Sequence, residues 1–384
     1  MHVPTLRLAL VGPYPPTPCG IATFTESLLS AVVKAGVYRG WSICGEVFRL
    51  TNDDCEPASP AVATDWIRGD QSSMYAALER AGEYDAVIVQ HEFGIFGGAD
   101  GCEVVEFVRQ CPVEVVVVLH TVVPKPTDHQ RSIIESLLQD AATVIVQSHA
   151  ARSRLAETYV AGSARVEVIP HGAVANFDGP RVDLALDDAP VLLTWGLLGP
   201  GKGIEHVIRA LATLGEDVPV PTYLVAGCTH PNVARLEGER YRDGLRALAV
   251  ELGVADRVVF DGDYRSCNEL RTLIRSCDIV VLPYDNRDQV TSGVLVEALA
   301  SARPIIATAF PHAVEALASG SGAVIPHENV PALATAIEQM LIEPRKRVAA
   351  SIRARSEAQS LLWPSVGQRY LDVLPEVAAI RGVA

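Results

Sequence analysis

Residues 192–208 read LLTWGLLGPGKGIEHVI. An apolar run, Leu192 to Trp195, stops at Gly196. Glycines 196, 199, 201 and 203 then bracket Lys202, and Ile204, Val207 and Ile208 start a helical period. A strand that runs through a glycine-rich turn into a helix is the βα unit of a parallel sheet. Its turn lies at the strand's carboxyl end, where such sheets bind ligands. Exposed backbone N–H groups, a helix N-terminus and one lysine suit a pyrophosphate. The spacing Gly196-x-x-x-x-Gly201-Lys202 nearly completes a P-loop, but Gly203 stands where Ser or Thr would ligate magnesium. The turn is therefore read as a phosphate cradle of another kind.

The same unit recurs on both sides of this stretch. Strand-like runs fall at 6–11, 42–48, 85–90, 113–120, 143–147 and 166–170, with amphipathic stretches at 20–35 and 129–139 among them. After residue 190 the alternation restarts. Strands are expected at 191–196, 222–227, 257–261, 278–283, 304–307 and 323–326, and helices at 203–214, 234–252, 267–276, 292–301, 312–319, 330–342 and 345–360. Runs such as VEVVVVLH (113–120) and DIVVLP (278–283) are apolar throughout, as in strands covered by helices on both faces. The polar segment NFDGPRVDLALDDAP (176–190) holds Gly and Pro and reads as a linker. The expected fold class is α/β: two doubly wound Rossmann-like domains facing across a cleft. Domain boundaries are expected at 1–178 and 188–360, with 361–384 a C-terminal helix packing back on the first domain.

The bulk composition agrees. A chain of 384 residues exceeds what one hydrophobic core usually covers. Charged residues are 20%, too few for a disordered chain, and the net charge of −14 argues against nucleic acid and gives no strong membrane signal. Cys19, Cys44, Cys55, Cys102, Cys111, Cys228, Cys267 and Cys277 form no C-x-x-C pair, so a structural zinc site is not expected. With no signal-peptide pattern and no apolar run long enough to span a bilayer, the expectation is a cytoplasmic protein with reduced thiols. No metal-ligand cluster and no cofactor are expected.

Three further stretches carry polar residues where chemistry would lie. LVGPYPPTPCGIATF (10–24) puts prolines between a strand and a helix and ends them at Gly20; only Gly12 and Gly20 are present, so the dinucleotide G-x-G-x-x-G is missing. The prolines fix φ and lower the cost of holding one loop shape, and Gly20 lets backbone N–H groups approach a ligand. DQVTSGVLVEALASARPIIAT (288–308) places Thr291, Ser292 and Gly293 at a helix start, as candidates for a phosphate or a sugar. Glu297 follows among apolar neighbours, where an unpaired carboxylate is costly; a ribose diol would offer it two donors. VIVQHEFGIFGG (87–98) and VVVVLHTVVPKP (115–126) are strands ending in His91 and His120, and VIPHG ends in His171.

These pieces, in this order over nearly the whole chain, resemble retaining glycosyltransferases of the GT-B fold, family 4 type. PYPPTPCGIATF resembles that family's proline-rich loop, HTVVP its donor-site histidine segment, and VIPHG the turn before its linker. GLLGPGKGIEHVI resembles its phosphate segment, and SGVLVEALASARPIIAT its signature helix and strand. The resemblance implies transfer of a hexosyl group, mannosyl or glucosyl, from a nucleotide-diphosphate sugar to an acceptor hydroxyl, with a saccharide or small molecule as acceptor. His120, Lys202 and Gln289 would act at the sugar and leaving group. Gly20, Gly199, Gly201, Gly203, Thr291, Ser292 and Gly293 would hold the donor's diphosphate and sugar, and Glu297 the ribose. His91, Glu92 and Phe93 would lie on the acceptor side. Two positions depart from the family: Leu197 where Arg is common, and Gln289 where the first of two glutamates is common. They leave open a sugar-nucleotide-binding protein without activity; an epimerase or phosphorylase of the same fold is a separate alternative.

Overall fold

The computed structural model describes residues 4–17, 19–52, 59–182, 184, 189–263 and 265–374. The chain divides into two compact units, Met1–Gly172 with Trp363–Ala384, and Ala173–Leu362.

The first unit is a seven-stranded parallel sheet. Its strands are β1 (Thr5–Gly12), β2 (Ser42–Thr51), β3 (Val62–Ile67), β4 (Ala86–His91), β5 (Glu114–Leu119), β6 (Thr143–Val146) and β7 (Arg165–Val168), in the order β3-β2-β1-β4-β5-β6-β7. The period of two sorts its faces. Leu6, Leu8 and Leu10 of β1, Ile88 of β4 and Val116 and Val118 of β5 share one core with Phe24, Leu28 and Val32 of the Gly20–Tyr38 helix. Val87, Val89, Val115, Val117 and Val144 are buried as well, so helices cover both faces, as the apolar runs implied.

The Gly20–Tyr38 helix is 19 residues long with a hydropathy of 1.2, enough by length and composition to cross a membrane. Half of that window is buried, and Trp363, Val366 and Tyr370 of the Trp363–Asp372 helix join the same core. Gln368 ties the two helices polarly: its Nε2 donates to Ala35 O, and its Oε1 accepts from Arg39 Nε at 2.6 Å. Residues 375–384 of the expected C-terminal helix lie outside the described residues.

The second unit is a six-stranded parallel sheet of β8 (Val191–Trp195), β9 (Thr222–Ala226), β10 (Val258–Asp261), β11 (Ile279–Leu282), β12 (Ile305–Thr308) and β13 (Gly322–Ile325), in the order β10-β9-β8-β11-β12-β13. Leu192, Tyr223 and Val225 face one core; Val191, Leu193, Trp195 and Leu224 face another on the opposite side. All six strands fall where the sequence put them.

Three details differ from the sequence reading. β3 was not foreseen: its Asp65 breaks the apolar run, and binds the fully buried Arg49 of β2 through two bonds of 2.7 and 3.0 Å. The helix expected at 234–252 is two, Pro231–Glu237 and Arg240–Glu251, parted at Gly238 with φ +62°. Residues 173–178, read as the end of the first domain, pack in the second unit: Asn176 donates to Ala300 O through its backbone, and to Arg271 O and Ser301 Oγ through its amide. Of the linker, 183 and 185–188 lie outside the described residues.

Candidate functional site

In a doubly wound sheet the ligand crevice opens where the strand order reverses. In the second unit that point lies between β8 and β11, so the segments leaving those two strands form its walls. The segment after β8 is the glycine turn. Gly196, Gly201 and Gly203 have φ of +117°, +87° and +65°, a region side chains rarely adopt. Gly203 is also needed for space, since a Cβ there would meet Pro283 O at 1.9 Å. At Gly196 and Gly201 a Cβ would meet nothing within 4 Å, so their backbone is open to an approaching group. Gly201 O accepts from Asp285 N at 3.0 Å, which ties the turn to the segment after β11.

Lys202 lies over the ring of Tyr284, with Nζ 4.7 Å from its centroid. Burial lowers its pKa, and no carboxylate forms an ion pair with it among the described residues. Glu297, on the Gly293–Ala300 helix, is desolvated too, and its pKa is raised. Trp195 Nε1 donates to it at 3.3 Å, and the charge of Arg271 acts in the same sense, but both are outweighed by burial. Trp195 is the last residue of β8, so the carboxylate meets the strand that feeds the glycine turn.

The segment 289–293 is largely occupied with itself. Gln289 Nε2 donates to Thr291 O at 3.1 Å. Ser292 caps its helix by accepting from Leu295 N, and its own N–H donates to His312 Nδ1 at 2.8 Å. The Ser292 amide, expected from the sequence to face a diphosphate, is thus already used, and the serine serves the loop's shape. Gly293 remains at the helix start, and the buried Thr291 Oγ1 has no partner among the described residues.

A set of possible cation ligands, unforeseen from the sequence, also gathers here. Glu205, His206 and Asp285 offer ligand atoms within 4.8 Å of one another. They are engaged with protein groups: His206 Nε2 with Asp285 Oδ1 at 2.9 Å, and Glu205 Oε2 with the Tyr241 hydroxyl at 2.9 Å.

The first unit reverses its order between β1 and β4. The proline-rich segment follows β1, and Gly20 starts the helix. A Cβ at Gly20 would meet nothing within 4 Å, and its φ is not in the left-handed region, so neither packing nor conformation demands glycine there. His120 follows β5: its N–H donates to His91 O, its Nε2 meets Gln90 Oε1 at 2.8 Å, and its ring stands edge-on to Phe24 at 4.9 Å. With Gln90 Oε1 accepting, the hydrogen sits on Nε2 and Nδ1 is left as an acceptor. Burial, then the neighbouring His171 and His91, lower its pKa to about 3, so the ring is neutral at pH 7. His171, on Gly172 O, is held down to about 4 by burial.

The acceptor-side expectation divides. His91 is fully enclosed, with Phe93 and Phe96 at 5.1 and 6.5 Å, and burial lowers its pKa to about 4. Both its ring nitrogens are buried without a hydrogen-bond partner among the described residues. Glu92 and Phe93 lie beyond the strand end; Glu92 accepts from Phe93 N and from the Thr121 hydroxyl.

The expected site residues therefore form two sets. Gly199, Gly201, Lys202, Gly203, Gln289, Thr291, Ser292, Gly293 and Glu297 gather at the carboxyl edge of one sheet; Gly20, Glu92, Phe93 and His120 at that of the other. The sequence reading missed Tyr284, Trp195 and His312. Two are aromatic and one follows a proline at a helix start, so nothing set them apart from packing residues.

Residues 180–357 match the family model "Glycosyl transferases group 1". Among characterised proteins, the chain is 29% identical over 259 residues to a GDP-mannose-dependent alpha-(1-6)-phosphatidylinositol monomannoside mannosyltransferase of Mycolicibacterium smegmatis, covering 64% of this chain and 65% of that protein. It is 28% identical over 267 residues to a D-inositol 3-phosphate glycosyltransferase of Corynebacterium aurimucosum, covering 66% and 62%. The matches thus span just under two thirds of these relatives' lengths. Among solved structures, a sucrose-phosphate synthase from Thermosynechococcus elongatus superposes with a TM-score of 0.76 at 20% identity, over 98% of this chain and all of that one. HepE of Anabaena, in complex with UDP and glucose, gives 0.76 at 18% identity, over 97% and 100%. Residues 180–357 are thus similar to the glycosyl transferases group 1 family, in a chain that has the GT-B fold.

Proposed function

We propose that this protein is a retaining hexosyltransferase, which moves a mannosyl or glucosyl group from a nucleoside-diphosphate sugar to an acceptor hydroxyl. The observation that carries the reading is the Lys202 ammonium, without an ion pair among the described residues and held at the switch point of the second sheet beside left-handed glycines. A cation and open backbone amides placed there oppose the charge that builds as a diphosphate leaves. Glu297, desolvated and short of donors, takes the hydroxyls of the ribose. The names of the relatives support the choice of donor: one is GDP-mannose-dependent, and HepE holds UDP and glucose.

The reading assigns no protein nucleophile among the described residues. The acceptor oxygen therefore attacks on the face from which the diphosphate departs. The bond from the anomeric carbon to the diphosphate oxygen breaks, a new one forms to the acceptor oxygen, and the acceptor's proton passes to the diphosphate. His120, neutral and with Nδ1 free to accept, and Gln289 orient the sugar's hydroxyls. Gly20, Glu92 and Phe93 serve the acceptor side. The reaction draws its charge neutralisation from Lys202 and backbone amides, so the reading includes no resident metal or cofactor, and it places the enzyme in the cytoplasm. Leu197 and Gln289 favour one rival, a protein that binds the donor without turning it over.

A thermal-shift panel of GDP-, UDP-, ADP- and dTDP-linked mannose and glucose tests the binding half. One donor is expected to raise Tm, by mass action on the folded state. A flat response to all of them contradicts the reading.

A further inference from the structure

Tyr284 leaves β11 directly opposite the glycine turn and is almost wholly buried, at 3% exposure. Its position is fixed from several sides. The ring stacks on Phe310 at 5.5 Å, and its carbonyl oxygen accepts from Thr308 Oγ1 at 2.6 Å and engages His327 Nδ1 at 2.8 Å. The Lys202 ammonium rests on this ring. Yet the hydroxyl, buried and rigidly placed, has no hydrogen-bond partner among the described residues. A buried phenol left unpaired costs stability, and such groups point to something that completes them.

The choice of an aromatic seat for Lys202 has an electrostatic consequence. An Asp or Glu partner would cancel the ammonium's charge. A ring face attracts the cation through its quadrupole and leaves the formal charge whole. Lys202 is the only cation in the segment 196–203, where Leu197 stands in place of a second. Keeping its charge uncancelled therefore matters more in this chain.

Building on the sugar-nucleotide reading above, we infer that Tyr284 is a diphosphate-binding residue: its ring seats Lys202 without neutralising it, and its hydroxyl donates a hydrogen bond to a diphosphate oxygen. Tyr284→Phe removes the bond and keeps the seat. Tyr284→Leu removes both.

Titration calorimetry of the full chain with UDP, GDP, ADP and dTDP, and with the matching nucleosides, tests this. One diphosphate is expected to bind, about tenfold or more weaker to Tyr284→Phe and weaker again to Tyr284→Leu. Affinity for its nucleoside is expected to stay within about twofold, which a packing defect would not spare. Diphosphate binding unchanged in both variants overturns the inference and leaves the sugar-nucleotide reading standing. Equal losses for diphosphate and nucleoside overturn it in favour of a packing role. Failure of the unsubstituted chain to bind any of the four overturns both.

Discussion

Lys202→Ala slows sugar transfer by about 10²–10³-fold, the range found when one preorganised charge-stabilising donor is removed from an active site. The loss falls on kcat more than on donor KM, because the charge on the diphosphate is greatest as the glycosidic bond breaks. The fold survives: among the described residues Lys202 has no ion pair to lose, and its ammonium rests on the Tyr284 ring. The pH dependence has a definite sign. Burial lowers the Lys202 pKa, so the charged form that binds diphosphate is lost as pH rises through that lowered value. Activity should fall on the alkaline side earlier than an exposed lysine would allow. Lys202→Arg, charged throughout, should remove that alkaline limb even where its geometry lowers the rate. Steady-state kinetics from neutral to alkaline pH check both, and a Lys202→Ala enzyme at full rate would end the assignment.

Gly203→Ala is the variant with the largest expected effect on stability. The residue sits at φ +65°, and an added Cβ would lie 1.9 Å from the Pro283 carbonyl oxygen. The left-handed conformation costs a non-glycine residue about 1–2 kcal/mol. Relieving the overlap adds about 1–3 kcal/mol, because the oxygen belongs to backbone and cannot swing aside. The relief must move the turn, the segment after β11, or both, and these carry Lys202 and Tyr284. Calorimetry should show a lowered transition for the second unit and loss of nucleoside-diphosphate binding. Gly201→Ala is the control. It has φ +87° but open space around the Cβ, so it bears the conformational cost alone. Equal stabilities of the two variants would contradict this account of Gly203.

The architecture was legible because parallel strands buried on both faces announce themselves. VVVVL in β5 and IVVL in β11 have few other readings once turns flank them. The glycine turn was legible too, since left-handed φ and close approach leave a local mark on sequence. β3 escaped because Asp65 interrupts it, and only the structure reveals that this acid neutralises a buried Arg49 from a different strand. The site's finer assignments depend on which groups are left unpaired, and pairing is settled by contacts distant in sequence. Ser292 looked free to bind phosphate until His312, twenty residues on, took its amide. His206 and Asp285 meet across 79 residues. Tyr284 reads as one more aromatic after a strand, and its unpartnered hydroxyl appears only when the fold closes around it.

The most direct test of the central claim follows the donor with and without an acceptor. The enzyme is incubated with the nucleotide sugar that binds, alone and with a panel of inositol, inositol phosphate, hexose and hexose-phosphate acceptors. Free nucleoside diphosphate and the product's anomeric configuration are read by NMR. The account predicts release of diphosphate only when an acceptor is present, with the donor's anomeric configuration kept in the product. Conversion of the donor without any acceptor, inversion at the anomeric carbon, or tight binding with no turnover across the whole panel would contradict it.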